Sequence, residues 1–328
     1  MNDIESVLRE YASRVDAALQ QWLDGIGLPY LSEPLRYHFG SGGKRLRPAL
    51  CLYVCEQLGG SLDKAVPFAL AVEILHNMFL LHDDIEDGDT MRRDQPTVWV
   101  KFGTPNAVNA GDYLLASAQR LAASADLPAE TNLRLSRILT DAALRTIEGQ
   151  ALDINLRAAE RFKVEDYLRI ARLKTGRYLV LGMAGAAVIS GASEEVIETL
   201  WGLGENMGPA FQIRDDIIDL TQGKGRGGEV GCDIREGKPS ILYAHCLNQC
   251  TPGERAHLIE VFRAPREQTS AEDVQSVMAL YQRCGSIAFA QQKADALIDQ
   301  AFAVIDRLPL GNKAVFRQVA AFMAKRTA

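Results

Sequence analysis

An all-α fold in a single domain covering residues 1–328 is predicted by three features of this sequence. Apolar residues recur at helical spacing almost throughout, as in Val66, Leu70, Ile74 and Phe79, or Leu133, Ile138, Ala142 and Leu144. Alternating apolar and polar runs of the kind strands need are scarce. No linker rich in Ser, Pro or Gly and no repeat of fixed period divides the 328 residues.

The elements follow from the punctuation. Turn or breaker clusters fall at 25–29, 40–43, 59–61, 103–105, 126–128, 223–231, 251–253 and 309–311, which leaves roughly ten helices joined by short loops. The uncharged stretch 178–193 is shorter than the ~20 residues of a membrane span and is interrupted by glycines, so it reads as a buried helix and not a transmembrane one. The widest irregular stretch, 221–239, is rich in glycine and reads as a candidate lid.

Composition narrows the class. Hydrophobic and charged fractions of 47% and 24% are those of a globular protein. A net charge of −6 opposes nucleic-acid binding, which needs a basic face. The first fifteen residues are polar and amphipathic without the apolar core of a signal peptide, so no export and a cytoplasmic location are expected. Six scattered cysteines without CxxC spacing suggest packing residues in place of disulfides or zinc ligands.

Two carboxylate clusters carry the chemistry. In LLHDDIEDGDTMRRDQPTVW, Asp83 and Asp87 stand one helical turn apart with Asp84 beside them; FQIRDDIIDL repeats the pattern with Asp215, Asp216 and Asp219. Both clusters end apolar helical stretches, where like charges repel and a counter-cation is called for. Carboxylates one turn apart suit Mg²⁺, whose octahedral oxygen shell is usually completed by water and substrate phosphates. A diphosphate bridging the clusters is the natural ligand. Cations for such a substrate stand at Lys44, Arg45 and Arg47, at Arg92 and Arg93, and at Lys174 and Lys238.

These pieces, with GGKRLRP, GTPNAVNAGD, EGQALD, KTG and GCDIREGKPS, resemble the trans-isoprenyl diphosphate synthases, or polyprenyl synthetases, in the order that family shows from about residue 42 to 240. Within the family the chain looks most similar to geranylgeranyl and farnesyl diphosphate synthases. The resemblance implies a helical bundle of the isoprenoid synthase type around a deep central cavity. It also implies condensation of isopentenyl diphosphate, 1'-4 and head to tail, with an allylic diphosphate (dimethylallyl, geranyl or farnesyl). The allylic carbon–oxygen bond ionises, the isopentenyl double bond attacks, and a proton passes to the departing diphosphate. Three Mg²⁺ ions per site are implied, with Mn²⁺ as a substitute.

Carried over residue by residue, the resemblance makes Asp83, Asp84, Asp87, Asp215, Asp216 and Asp219 catalytic, with Asp83, Asp87 and Asp215 as direct metal ligands. Arg92 and Lys174 match positions that hold the allylic diphosphate; Lys44, Arg47, His76 and Arg93 match those that hold isopentenyl diphosphate; Lys238 matches a diphosphate lysine. Thr175 and Gln212 correspond to groups facing the reacting carbon, and Gln150 and Asp153 to a shell around metal and phosphate. His82, next to Asp83, reads equally as a helix-end hydrogen-bond donor. A homodimer is implied as well.

Two departures stand out. Asp94 occupies the place of the family's glycine after the paired arginines, and Gly228 and Glu229 stand where many relatives have a lysine, with Lys224 or Arg226 as substitutes. A class I terpene cyclase would share the first motif but not DDIID or GGKRLRP; a non-catalytic regulatory subunit would lack aspartates that are intact here; a plain helical interaction protein would bind no diphosphate. Product length is expected from helix geometry: Phe79, Met78 and Leu75, which lie four, five and eight residues before Asp83, should line the tail tunnel. One aromatic beside a flexible Met predicts a part-blocked tunnel and a twenty-carbon product, with fifteen and twenty-five carbons as neighbours.

Overall fold

A computed structural model describes residues 4–157, 161–221, 230–308 and 313–324. The fold is all-α. In chain order the helices are α1 (Ile4–Asp24), α2 (Pro29–Gly40), α3 (Leu46–Gln57), α4 (Leu62–Glu86), α5 (Val98–Phe102), α6 (Thr104–Ala123), α7 (Ala129–Leu156) and α8 (Val164–Ala171). A single π turn, Arg172–Gly176, joins α8 to α9 (Arg177–Ile189). Then follow α10 (Glu194–Asp219), α11 (Cys232–Arg235), α12 (Ile241–Gln249), α13 (Pro252–Arg263), α14 (Ala271–Arg283), α15 (Ser286–Arg307) and α16 (Ala314–Ala324). These sixteen segments exceed the roughly ten expected, in part because short helices such as α5 and α11, of five and four residues, are too short to show a periodic pattern. A two-stranded hairpin, β1 (Met91–Arg92) with β2 (Gln95–Pro96), was not expected.

Helix ends follow local chemistry. Pro29 opens α2 and Pro105 lies in the first turn of α6, where a missing N–H is harmless. Reciprocal capping boxes start α13 (Thr251 with Glu254) and α14 (Ser270 with Asp273).

The chain divides into two compact units. The first comprises Met1–Ala143, Leu179–Trp201 and Leu308–Val315. Its centre is α4, which packs on α1, α3, α5 and α6 and is therefore apolar on nearly every side. Among the described helices it is the one long and apolar enough to cross a membrane, yet 72% of its most apolar window is buried within the protein, as befits a core helix. Of the stretch 178–193 expected to be a buried helix, 178–188 are buried in α9, whereas 190–193 form a partly exposed turn. Helix α9 lies close against α3 and α4: a Cβ at Gly182 would come 2.9 Å from the Arg47 carbonyl, and one at Gly185 would collide with the Phe68 ring.

The second unit comprises Leu144–Tyr178, Gly202–Arg307 and Phe316–Ala328. Its core is drawn from α8 and α10 to α15, with the rings of Tyr243 and Phe262 4.3 Å apart and Phe162 beside them. All six cysteines are free, four of them buried. The periodic series on α7 is turned differently from its reading: Leu135, Leu139, Ala142 and Ala143 face the core, whereas Leu133 and Leu144 are exposed.

One buried group makes stability pH-dependent. His38 on α2 shares a 2.9 Å hydrogen bond with Asn77 Oδ1. Burial, then the charge of Arg92, pushes its imidazole down to about 3. The folded state thus keeps His38 neutral while the unfolded chain takes up a proton below its ordinary value near 6.5. Stability from this group is complete above that pH and falls below it, by up to about 1.4 kcal/mol per pH unit, until about pH 3. His38→Gln, which can still donate to Asn77, is expected to flatten the decline of the melting temperature between pH 6.5 and 5; equal slopes in both proteins would exclude His38 as its source.

Candidate active site

In the first unit the aspartate cluster is built by the end of α4. The N–H groups of Gly88 and Asp89 bond the carbonyls of Ile85 and Asp84, at 3.3 and 2.8 Å, and Gly88 takes φ +67. This Schellman closure explains the glycine in DDIEDGD. It leaves Asp83 and Asp87 partly exposed and turns Asp84 inward. Buried Asp84 accepts from Nε and Nη2 of Arg92 at 2.6 Å each. Asp89, also buried, offers its carbonyl to Thr97 Oγ1 and Trp99 Nε1, tying the hairpin to the helix end.

Arg93 and Asp94 form the hairpin turn with φ of 51° and 60°. Two consecutive left-handed residues in a two-residue loop are the geometry of a type I′ turn. A glycine would take this conformation without strain; Asp is among the few other residues that tolerate it, and Asp94 is exposed to solvent. Arg93 reaches back to the Gly42 carbonyl and to Ser41 Oγ, so it meets the GGKRLRP turn. In that turn Lys44 is exposed and Arg47 half-buried, but Arg45 points into the protein and is not the surface cation its sequence context suggested. Desolvation, then Arg47 and Arg93, holds the His76 imidazole well below its ordinary value. His82 packs over α6, where a Cβ at Gly111 would lie 2.2 Å from its Nε2; that nitrogen is 3.8 Å from Asp112. Phe79, Met78 and Leu75 are buried along α4.

In the second unit, Asp153, Tyr167, Lys174, Gln212, Asp216 and Lys238 are among the residues lining one pocket. Lys174 Nζ donates to Asp153 Oδ2 at 2.8 Å. Burial works against the charge of Asp153, but Lys174 and then Lys238 outweigh it and hold the carboxyl below the usual range. Asp216 accepts from the Tyr167 hydroxyl at 2.6 Å and from Gln212 Nε2 at 3.2 Å. Burial, then Asp216, pushes the Tyr167 phenol well above its ordinary value, so it stays a donor. Asp219 is fully buried, and its carboxylate accepts the Asp233 N–H at 3.1 Å. The Lys238 N–H in turn bonds the Asp233 carbonyl at 2.9 Å. Asp215 remains partly exposed.

Lys174 and Thr175 ride on the π turn, held by close contacts on two sides. A Cβ at Gly149 on α7 would come 2.7 Å from the Lys174 nitrogen, and one at Gly208 on α10 would come 2.6 Å from both the nitrogen and Cα of Gly176. Among residues 230–239 of the candidate lid, α11 and the contacts of Asp219 and Asp233 make a folded segment; the expectations for Lys224, Arg226, Gly228 and Glu229 lie outside the described residues.

Tyr167, Asp233, Asp89, Asn77 and Glu73 escaped the sequence reading. For most no local signal exists, since each acts across a tertiary contact. Glu73 could have been noticed as a single carboxylate within an otherwise apolar helical run.

The sequence profile of polyprenyl synthetases matches residues 28–281. The chain belongs to the polyprenyl synthetase family. It is an isoprenyl diphosphate synthase, a prenyltransferase, in a family that generally depends on Mg²⁺. It is similar to a geranylgeranyl pyrophosphate synthase of Geoglobus acetivorans, 32% identical over 94% of this chain and 95% of that one. A geranylfarnesyl diphosphate synthase of Aeropyrum pernix is 33% identical over 82% of this chain and 85% of its own. The crystal structure of a geranylgeranyl pyrophosphate synthetase from Pyrococcus horikoshii Ot3 matches with a TM-score of 0.89 and 30% identity, over 98% of each chain.

In each unit the partly exposed carboxylates fit a hard divalent cation. Among the described residues no three His, Cys, Asp or Glu side chains could hold a metal ion by themselves. The partly exposed carboxylates of Asp83, Asp87 and Asp215 are all-oxygen donors of the kind Mg²⁺ takes one or two at a time, with water and phosphate making up the rest.

Proposed function

We propose that this polyprenyl synthetase condenses isopentenyl diphosphate with allylic diphosphates, and that its main product is geranylgeranyl diphosphate. The observation that carries the reading is the difference in burial within each aspartate cluster: Asp84, Asp216 and Asp219 are buried, while Asp83, Asp87 and Asp215 are partly exposed. Those three hold Mg²⁺ in this reading, three ions per site, with Mn²⁺ able to replace it. When bound, the metal offsets the charge of the leaving diphosphate. Arg92 and Lys174 bind the allylic diphosphate, Lys238 binds a diphosphate group, Lys44, Arg47, His76 and Arg93 bind isopentenyl diphosphate, and Thr175 and Gln212 face the reacting carbon. Asp153 keeps the Lys174 ammonium oriented, and Tyr167 does the same for Asp216. One domain of 1–328 performs the reaction.

Purified protein supplied with Mg²⁺, isopentenyl diphosphate and each of dimethylallyl, geranyl and farnesyl diphosphate should yield chiefly a twenty-carbon product. No condensation with any primer would overturn the reading. Phe79 and Met78, buried on α4, set the length in this proposal. Phe79→Ala is expected to shift products beyond twenty carbons; an unchanged distribution would assign the limit to another helix.

The active form is proposed to be a homodimer. Leu144 and Ile147 on α7 are 53% and 48% exposed and share a helix face with Ile154, an apolar stripe that a second copy would cover. In sedimentation the native chain should be dimeric at micromolar concentration and a Leu144→Glu/Ile147→Glu variant monomeric. A native monomer would rule the dimer out.

A further inference from the structure

One buried charged cluster lies outside the residues assigned to metal or substrate. Arg45, at φ +48 in the turn between α2 and α3, sends its guanidinium inward, where Nε donates to Asp16 Oδ1 at 2.8 Å and Nη1 to Glu73 Oε1 at 2.9 Å. Side-chain exposure is 8% for Arg45 and 4% for Glu73. Glu73 also accepts from Asn77 Nδ2 at 3.0 Å, and Asn77 is paired with His38, so a continuous polar chain links α1, the turn, α4 and α2. Such a pair is a poor source of stability, since desolvating two charges offsets most of their attraction. Its more specific consequence is conformational.

Arg45 is flanked by Lys44 in the turn and by Arg47 in the first turn of α3. A second hold comes from the hairpin: Arg93 bonds Ser41 Oγ and the Gly42 carbonyl. Both guanidinium groups crowd Gly43, where a Cβ would come 2.7 Å from Arg45 Nη1 and 3.4 Å from both terminal nitrogens of Arg93. With Arg45 drawn inward at a left-handed position, which a non-glycine residue adopts only when its surroundings over-determine it, the side chains flanking it are directed elsewhere. Lys44 is accordingly exposed and Arg47 half-buried.

We propose that Glu73 is a positioning residue for isopentenyl diphosphate: by anchoring Arg45 it sets the direction of Lys44 and Arg47 without touching the substrate. The inference rests on the proposed reaction and on the assignment of Lys44 and Arg47 to the isopentenyl site.

Steady-state kinetics with each substrate varied separately tests it in Glu73→Gln and in the double variant Arg45→Met/Glu73→Leu, which removes both charges and leaves neither unpaired. Each variant is checked first by circular dichroism and thermal unfolding. The expected result is a KM for isopentenyl diphosphate raised about tenfold, with kcat and the allylic KM within about twofold of native, because binding of one substrate is weakened equally in the ground and transition states. If Glu73→Gln does not fold, the double variant carries the test. An unchanged isopentenyl KM, an equal rise for both substrates, or failure of both variants to fold would each overturn the inference by reducing Glu73 to a structural role. A native enzyme that makes no product fails the functional reading instead, and an active native enzyme keeps the two failures apart.

Discussion

Asp83→Ala is expected to lower kcat by about 10³-fold at saturating Mg²⁺ while leaving the fold intact, on the scale of removing a group that stabilises transition-state charge. The backbone carbonyl of Asp83, which accepts the Asp87 N–H at 2.8 Å, survives the substitution, and alanine is the best helix former. Asp83, Asp84, Glu86 and Asp87 crowd the end of α4, where the helix dipole is itself negative. Without metal, removing one of these charges should raise the melting temperature slightly. Asp84→Ala should behave differently, since it strips a buried partner from Arg92 and costs stability as well as activity. Turnover and thermal unfolding with Mg²⁺ and with a chelator separate the two; a near-native rate in Asp83→Ala would remove Asp83 from the metal site.

Gly208→Ala is the second large effect expected, and it is purely steric. The new Cβ would lie 2.6 Å from the nitrogen and Cα of Gly176 and 3.0 Å from the carbonyl carbon of Thr175, all backbone atoms that no rotamer change can move aside. The π turn carrying Lys174 and Thr175 must shift away from α10, which carries Gln212 and Asp216 one and two turns further on. Overpacking of this kind costs about 1–3 kcal/mol. A shift near 1 Å in a reacting array costs about 10²-fold in rate. The melting temperature should fall by a few degrees and kcat/KM by about 10²-fold. Gly202→Ala, earlier on α10, is the control: nothing lies within 4 Å of its Cβ, so it should be neutral or gain up to about 1 kcal/mol from helix propensity. Native values in Gly208→Ala would mean the crossing relaxes freely.

The two substitutions differ in how visible their targets were beforehand. Asp83 could be chosen from the sequence, because carboxylates one turn apart at the end of an apolar helix declare their shared face and their need for a cation. Gly208 could not, because a glycine within a helical pattern carries no record of which backbone crosses it. Arg45 shows the same limit: beside Lys44 and Arg47 it looked like a third substrate cation, and only its partners Asp16 and Glu73, 29 and 28 residues away, reveal that it is internal.

By itself the sequence determined the all-helical class, several of the helix breaks and the positions of both aspartate clusters, since these rest on periodicities and spacings that act within a few residues. Tertiary structure alone decided which carboxylates of each cluster are buried, which face of α7 is left open, and how the π turn is wedged between Gly149 and Gly208. Those features depend on contacts between segments far apart in the chain, whose free energies are set by packing and desolvation, and local pattern encodes neither.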